Sequence, residues 1–436
     1  MKHILLFGAG KSSTVLIEYL KNITQKKGWK ATVADADFEV AKAKTGGAKE
    51  LLPIGLNIED EPKRQALIQE ADIVISMMPP ALHYLIAKDC LSIGKQLLTA
   101  SYVSNEIKQL QAEIERKGLL FLCEMGLDPG IDHMSAMEMI DDIHSKGGKI
   151  TAFKSHCGGL VAPESDNNPW HYKISWNPRN VVLAGKQGAI FKEDGVVQQV
   201  DYDHIFKYCP AIVFPGVGNL AYYPNRDSLS YLETYQLAGT HTFVRTTLRY
   251  EDYCTGWSFI VDCKLTDEEK VYDTQRLTYR SFFENHLKRF DLQEVVRLVL
   301  SKNTDLQEQL KYLGLFDDTL INKGLCSAAD ILQICLETNL ALDPKDKDMI
   351  VMMHEIEYEL NGRKHAIESS LLVKGEDSLH TAMAKTVGLP LGIAATLILE
   401  GKITLKGLHI PILPEIYKPV LKALEEYDVK FETRMV

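Results

Sequence analysis

Residues 2–13 read Lys2-His3-Ile4-Leu5-Leu6-Phe7-Gly8-Ala9-Gly10-Lys11-Ser12-Ser13, and this stretch decides the fold. Ile4 to Phe7 is a continuous apolar run with no polar face, the pattern of a strand covered by helices on both sides. The run breaks at Gly8-Ala9-Gly10. It then leads through Lys11-Ser12-Ser13 into residues 14–20, whose apolar positions recur at helical spacing. A strand, a tight glycine turn and a helix in that order make a pyrophosphate cradle. The glycines let backbone N–H groups approach, and the helix N-terminus carries partial positive charge. The pattern is G-x-G-x-x-S, with Ser13 where a third glycine or alanine is usual. A second strand, 31–34, follows and ends at Asp35. An acid there accepts hydrogen bonds from a ribose diol and repels a 2′-phosphate. The stretch therefore reads as a dinucleotide site preferring NAD to NADP.

The length of 436 residues allows two or three domains at ~150 residues each. A net charge of −10 argues against a nucleic-acid surface. Any anionic ligand must then be met by a local gathering of arginines. The eight cysteines show no C-x-x-C pair and no zinc spacing, so they read as reduced thiols of a cytoplasmic protein without a metal site. No apolar run is expected to cross a membrane, and the N-terminal run is too short for the core of a signal peptide.

Residues 1–123 alternate strands and helices. Strands are expected at 51–56, ending near Asn57, at 72–78, ended by Pro79-Pro80, at 96–102 and at 119–123. In a doubly wound sheet the ligand lies beyond the strands' carboxyl ends, which places 76–79, Met77 among them, and Asn57 beside the cofactor. The polar stretch 124–133 then follows a buried strand directly and carries Asp128, Asp132 and His133. A loop this polar at a strand end reads as a chemical site. Asp132 reads as a cap for a helix over 134–143 and His133 as a local hydrogen-bonding group; Asp128 reads as functional.

Past residue 149 the pattern changes to strands (150–155, 189–191, 196–200, 240–249, 257–264) joined by loops, a mixed or antiparallel sheet. Three polar loops stand out: Cys157-Gly158-Gly159, residues 167–179 and residues 223–228. Residues 281–339 read as a charged helical subdomain, 348–358 and 366–373 as strands linked by an Asn361-Gly362 turn, and 382–399 as a long apolar helix. A helix over 413–426 and a strand over 429–433 are expected to rejoin the first domain. The fold class expected is α/β: a Rossmann-like dinucleotide domain (1–127 and 395–436), a mixed-sheet α+β substrate and dimerisation domain (128–280 and 345–394) and a small helical insertion (281–344).

Taken together, TASY (99–102), GLDPGIDHM (126–134), CGGL-x-APE (157–164), NNP-x-x-YK-x-SW-x-P (167–178), YPNRDS (223–228), TLRY (247–250), KDMIVM (347–352) and AMAKTVGLP (382–390) resemble the L-glutamate-forming saccharopine dehydrogenases, in order and over nearly the whole chain. The likeness is greatest to the NAD-using branch of lysine breakdown. Fungal relatives carry an arginine just past the second strand for a 2′-phosphate, where this chain has Asp35-Ala36-Asp37. Two departures are Ser13 and Thr246, the latter following Arg245 where relatives have glycine.

The resemblance implies that saccharopine, NAD and water give glutamate, 2-aminoadipate semialdehyde and NADH. Related amine dehydrogenases (lysine 6-dehydrogenase-like or carboxynorspermidine-type) and a catalytically dead dinucleotide-binding protein are the alternatives. Saccharopine carries three carboxylates, which guanidinium groups bind bidentately. Arg226 and, at a strand end with Thr247, Arg249 are the expected partners. By family position Ser101, Tyr102 and the Leu127 backbone also touch substrate. Gly8, Gly10, Lys11, Ser12, Ser13, Asp35, Asn57, Met77, Ser175, Trp176 and Pro178 line the cofactor. Tyr102, Asp128 and Cys157 are the expected proton-transfer groups. A homodimer is the expected assembly.

Overall fold

The computed structural model describes residues 1–436. Its N-terminal half is β1 (His3–Phe7), α1 (Thr14–Lys27), β2 (Lys30–Asp35), α2 (Phe38–Thr45), β3 (Leu51–Gly55), α3 (Glu61–Glu70), β4 (Ile73–Ser76), α4 (His83–Ile93), β5 (Gln96–Thr99), α5 (Asn105–Lys108), α6 (Gln111–Arg116), β6 (Leu120–Leu122) and α7 (Ile131–Ser145). Every residue of β1, β4 and β6 is buried, as an unbroken apolar run requires in a two-sided parallel sheet. The strands pair in parallel in the order β3-β2-β1-β4-β5-β6. Strand order reverses between β1 and β4, so the glycine turn after β1 and Met77 after β4 lie at the switch point where such sheets bind ligands. Gly28 and Gly46 end α1 and α2 in left-handed conformation, which a residue with a Cβ adopts only at a cost.

Next come β7 (Lys149–Val161), α8 (Pro178–Val182), β8 (Ala189–Glu193), β9 (Val196–Val200), β10 (Ala211–Phe214), β11 (Gly218–Pro224), β12 (Arg226–Asp227), β13 (Thr242–Arg249), α9 (Glu251–Asp262), β14 (Tyr272–Asp273), α10 (Tyr279–Arg289), α11 (Gln293–Lys302), α12 (Thr304–Tyr312), β15 (Leu325–Cys326), α13 (Ala328–Asn339), β16 (Asp348–Leu360) and β17 (Arg363–Lys374). The sheet is mixed: β13 runs parallel to β7 and antiparallel to β11. Two expectations fail here. Residues 257–264, read as a strand, lie mostly in α9, where Tyr253, Trp257, Ile260 and Val261 recur at helical spacing and are buried. A short run of β-formers does not distinguish strand from helix. Cys157-Gly158-Gly159, read as a loop, continues β7. Gly158 is a close approach rather than a turn, since a Cβ there would sit 2.6 Å from the Leu248 carbonyl oxygen.

The chain closes with α14 (Ala382–Leu399), β18 (Gly407–His409), α15 (Pro414–Glu425) and β19 (Glu432–Met435). β18 pairs in parallel with β6 and extends the first sheet to seven strands. α14 is long and apolar enough to cross a membrane by length and composition, which corrects the reading that no run is. Yet 78% of it is buried. It packs on α1 through glycines: a Cβ at Gly392 would lie 2.5 Å from the Tyr19 ring, and one at Gly388 2.9 Å from Leu16 Cβ.

Two compact units result: residues 1–150, 359–364 and 371–433, and residues 151–358, 365–370 and 434–436. The expected boundaries shift for physical reasons. α7 and all of α14 belong to the first unit, where α15 holds α7 through a 2.6 Å bond from Tyr417 Oη to the Asp141 carboxylate. The final strand does not rejoin the first sheet; β19 borders β17. Helices α10 to α13 form no separate subdomain. Phe282, Leu310 and Leu332 share one core with Trp170, Tyr253 and Trp257.

Candidate active site

In the first unit the glycine turn is held tightly. Gly8 has φ +103°, and a Cβ on it would meet the Met77 carbonyl oxygen at 3.0 Å. Nothing lies within 4 Å of a Cβ at Gly10, so that side of the turn is open. Lys11-Ser12-Ser13 form one 3₁₀ turn into α1, whose first turn has no side-chain cap and no acid. Uncapped N–H groups at a helix start suit a phosphate. Asp35 Oδ2 accepts from the Ala9 amide at 2.6 Å and Oδ1 from the Asp37 amide at 2.9 Å. These residues fit a dinucleotide: an open turn, an uncapped helix start and a carboxylate at the ribose position.

Three cofactor-side expectations are refined. Ser13 is buried and its hydroxyl donates to the Gly10 carbonyl at 2.8 Å, so it locks the turn. Asn57 is exposed after β3, its amide oxygen accepting from the Glu59 amide at 3.1 Å in a local turn. Lys44 was not anticipated. Its Nζ donates to the Gly10 carbonyl at 2.5 Å and to Thr14 Oγ1 at 2.9 Å, and burial lowers its pKa to about 8 against the opposing pull of Asp35. A lysine in a mid-length surface helix carries no signal that it folds back onto a turn 34 residues earlier.

The loop after β6 is a polar cluster. Tyr102 Oη donates to Asp128 Oδ1 at 3.2 Å. Glu124, at φ +59°, accepts from the Val103 amide at 3.0 Å through Oε1 and faces His133 Nε2 at 2.8 Å through Oε2. Asp132 Oδ1 accepts from the Gly130 amide at 2.6 Å. His133 bonds within the same loop, as read from sequence, but Asp132 is not the cap expected: α7 already begins at Ile131 with Gly130 before it, and Asp132 sits in the first turn, bracing the Gly130 amide. Glu124 was overlooked, although a lone acid directly after a buried strand was the available signal. Ser101 is partly exposed, its hydroxyl on the buried ring of His83.

In the second unit the pleat sorts residues. Cys157, Thr247 and Tyr223 are paired across β7, β13 and β11, and Arg249, two residues past Thr247, projects to the same face. Thr246 points the other way, its hydroxyl 2.7 Å from His156 Nδ1, while His156 Nε2 lies 2.8 Å from Glu355. The departure at Thr246 therefore serves the opposite face.

Arg249 is only 4% exposed. Its guanidinium lies 5.4 Å from the Tyr172 ring centre and 5.3 Å from that of Tyr253. Nη1 donates to the Leu248 carbonyl at 2.8 Å, but Nε has no partner, nor does the buried Tyr253 hydroxyl. Burial pushes Tyr223 up to about 12 and Tyr253 well above its ordinary value, so both phenols stay protonated donors. Trp176 joins this group, its Nε1 donating to Tyr172 Oη at 3.2 Å, while Ser175 is buried beside it and Pro178 opens α8. These three cofactor-side expectations belong to the second unit.

Arg226 stands apart. It is exposed at φ +54° in β12, with Nη1 on Gln187 at 3.3 Å, and lines a cavity of about 380 Å³ with Lys186, Tyr202 and Asp227. The Asn225 amide donates to the Arg245 carbonyl, so Arg226 sits near the Arg245 end of β13. Four residues of strand, roughly 13 Å, separate Arg245 from Arg249.

A parallel sheet with a glycine turn at its switch point, an acid ending β2 and a polar loop after β6 defines a nicotinamide-dinucleotide oxidoreductase. The saccharopine dehydrogenase NADP binding domain matches residues 4–122, and the saccharopine dehydrogenase C-terminal domain matches residues 126–429. The chain belongs to the L-glutamate-forming saccharopine dehydrogenase family, and is an oxidoreductase of lysine metabolism. It is 33% identical to the NADP(+), L-glutamate-forming saccharopine dehydrogenase of Pyricularia oryzae, over 100% of this chain and 99% of the relative. It is 35% identical to the mitochondrial alpha-aminoadipic semialdehyde synthase of Bos taurus, over 99% of this chain but 48% of that protein. The apo saccharopine dehydrogenase (L-Glu forming) of Saccharomyces cerevisiae has a TM-score of 0.88 at 29% identity, covering both chains fully.

Proposed function

We propose that the chain oxidises the secondary amine of saccharopine with NAD in preference to NADP, yielding L-glutamate and 2-aminoadipate 6-semialdehyde. The observation that carries this reading is Arg249: a buried guanidinium without a carboxylate partner, beside an unpaired tyrosine hydroxyl. An uncompensated buried charge costs several kcal/mol, so such a group awaits an anion. Arg226 takes a second carboxylate near the other end of the extended substrate, with Ser101, Tyr102, Thr247 and the Leu127 backbone completing its contacts.

When bound, the dinucleotide supplies the hydride acceptor. Gly8, Gly10, Lys11, Ser12, Asp35 and Met77 hold it, with Ser13 and Lys44 bracing the turn. The chain's remaining task is to move protons: the substrate amine must be neutral before oxidation, and water must then add to the imine. The Tyr102–Asp128 pair is the proton-handling couple, the carboxylate accepting the phenol's hydrogen and able to take a proton in its turn. Cys157, on the Arg249 face, is the third such group.

Preference for NAD rests on charge. The names of the fungal relatives carry NADP(+). Here Asp35 and Asp37 end β2, and Asp37 is fixed as the cap of α2 by the Glu39 and Val40 amides. Two fixed carboxylates repel a 2′-phosphate, and Lys44 is engaged with Gly10 and Thr14. A cytoplasmic homodimer completes the proposal; all eight cysteines are free thiols, as in a reducing compartment. Initial rates of nicotinamide reduction, measured with saccharopine and either dinucleotide, test the preference. A kcat/KM at least tenfold higher with NAD supports it; equality, or a higher value with NADP, overturns it.

A further inference from the structure

Ser76 and Ser101 are joined through one imidazole. Ser76 ends β4 fully buried, with Oγ 2.8 Å from His83 Nδ1; His83 Nε2 lies 2.8 Å from Ser101 Oγ. His83 opens α4 and is 4% exposed. Burial lowers its pKa to about 4, and the first turn of a helix also disfavours a cation. The ring is therefore neutral, with one N–H and one bare nitrogen.

A neutral ring between two hydroxyls can run in two directions. In one, Ser101 donates to Nε2 and Nδ1–H donates to Ser76. The Ser76 hydrogen then has no acceptor, because His83 is the sole partner of that buried hydroxyl. A buried donor left unpaired is costly. In the other, Ser76 donates to Nδ1 and Nε2–H donates to Ser101 Oγ. Every buried donor is then satisfied, and the proton of Ser101, the one partly exposed member, is left to point outward.

We propose that His83 is a positioning residue: with Ser76 it orients the Ser101 hydroxyl as a hydrogen-bond donor to a substrate carboxylate. This rests on Ser101 touching saccharopine, and the experiment separates the two claims. Steady-state kinetics on Ser101→Ala, His83→Ala, the double variant, His83→Gln and His83→Asn provide the test. A hydrogen bond to a charged group corresponds to about a tenfold change. Ser101→Ala and His83→Ala should each raise the saccharopine KM about tenfold, with the KM for NAD unchanged. The double variant should be no worse than Ser101→Ala alone. His83→Gln, whose amide nitrogen reaches the place of Nε2, should restore most of the affinity. His83→Asn, which reaches only Nδ1, should not. If His83→Ala does not fold, the Gln and Asn variants decide. Wild-type kinetics in Ser101→Ala would remove Ser101 from the substrate and overturn the proposal with it. An impaired Ser101→Ala whose defect multiplies with that of His83→Ala would overturn the positioning role alone.

Discussion

Arg249 lies with its guanidinium 5.3 Å from the ring centre of Tyr253, and neither Arg249 Nε nor the Tyr253 hydroxyl has a hydrogen-bond partner. Both residues are buried. Buried donors left open are expensive unless a ligand closes them. Replacement by an apolar side chain of similar length should then separate binding from stability. Arg249→Met should raise the saccharopine KM at least a hundredfold while thermal melting stays level or rises, since removing an uncompensated buried ion relieves its desolvation cost.

Arg226 should behave differently because it is exposed. Arg226→Ala should raise the saccharopine KM about tenfold to a hundredfold, as loss of a charge-assisted bond would, with NADH affinity and melting temperature unchanged. Fluorescence titration with NADH and steady-state kinetics check both halves.

The proposed preference for NAD is tested at Asp35. Asp35→Ser removes the charge at the end of β2, so kcat/KM with NADP should rise and that with NAD should fall. The ratio should move at least tenfold toward NADP. An unchanged ratio would assign selectivity to other residues.

His83 links stability to pH. Its folded pKa is lowered from 6.5 to about 4 by burial. The unfolded chain therefore takes up a proton first as pH falls, and stability present above pH 6.5 is lost between there and about 4. The span corresponds to roughly 3 kcal/mol. Urea melts of wild type and His83→Gln should show a shallower acid loss in the variant, by an amount of that order.

Gly392 tests the seat of α14. A methyl there would meet the buried Tyr19 ring at 2.5 Å, so Gly392→Ala should destabilise by about 1–3 kcal/mol, the usual cost of overpacking. A variant as stable as wild type would mean that the helix does not pack on α1 as described.

The first sheet was legible because its strands are unbroken apolar runs punctuated by glycine and proline, Ile4–Phe7 above all. The second was less so. Gly158 and Gly159 look like turn residues in sequence, but both lie within β7, and Gly158 leaves room for the neighbouring strand. Trp257 to Val261 has strand composition yet follows Tyr253 and Cys254 at helical spacing, a longer-range pattern. Arg249 was visible as the cation that ends its strand. The tyrosines around it, Tyr172, Tyr223 and Tyr253, come from three separate segments, and only folding gathers them. His83 and Lys44 left no trace, because their partners are defined by burial and by contacts beyond their own helices.

The most direct test is the structure of the protein with NADH and saccharopine bound. A carboxylate of saccharopine should accept hydrogen bonds from Arg249 Nε and from the Tyr253 hydroxyl. An ordered saccharopine whose carboxylates all lie beyond ion-pair reach of Arg249 would contradict the account.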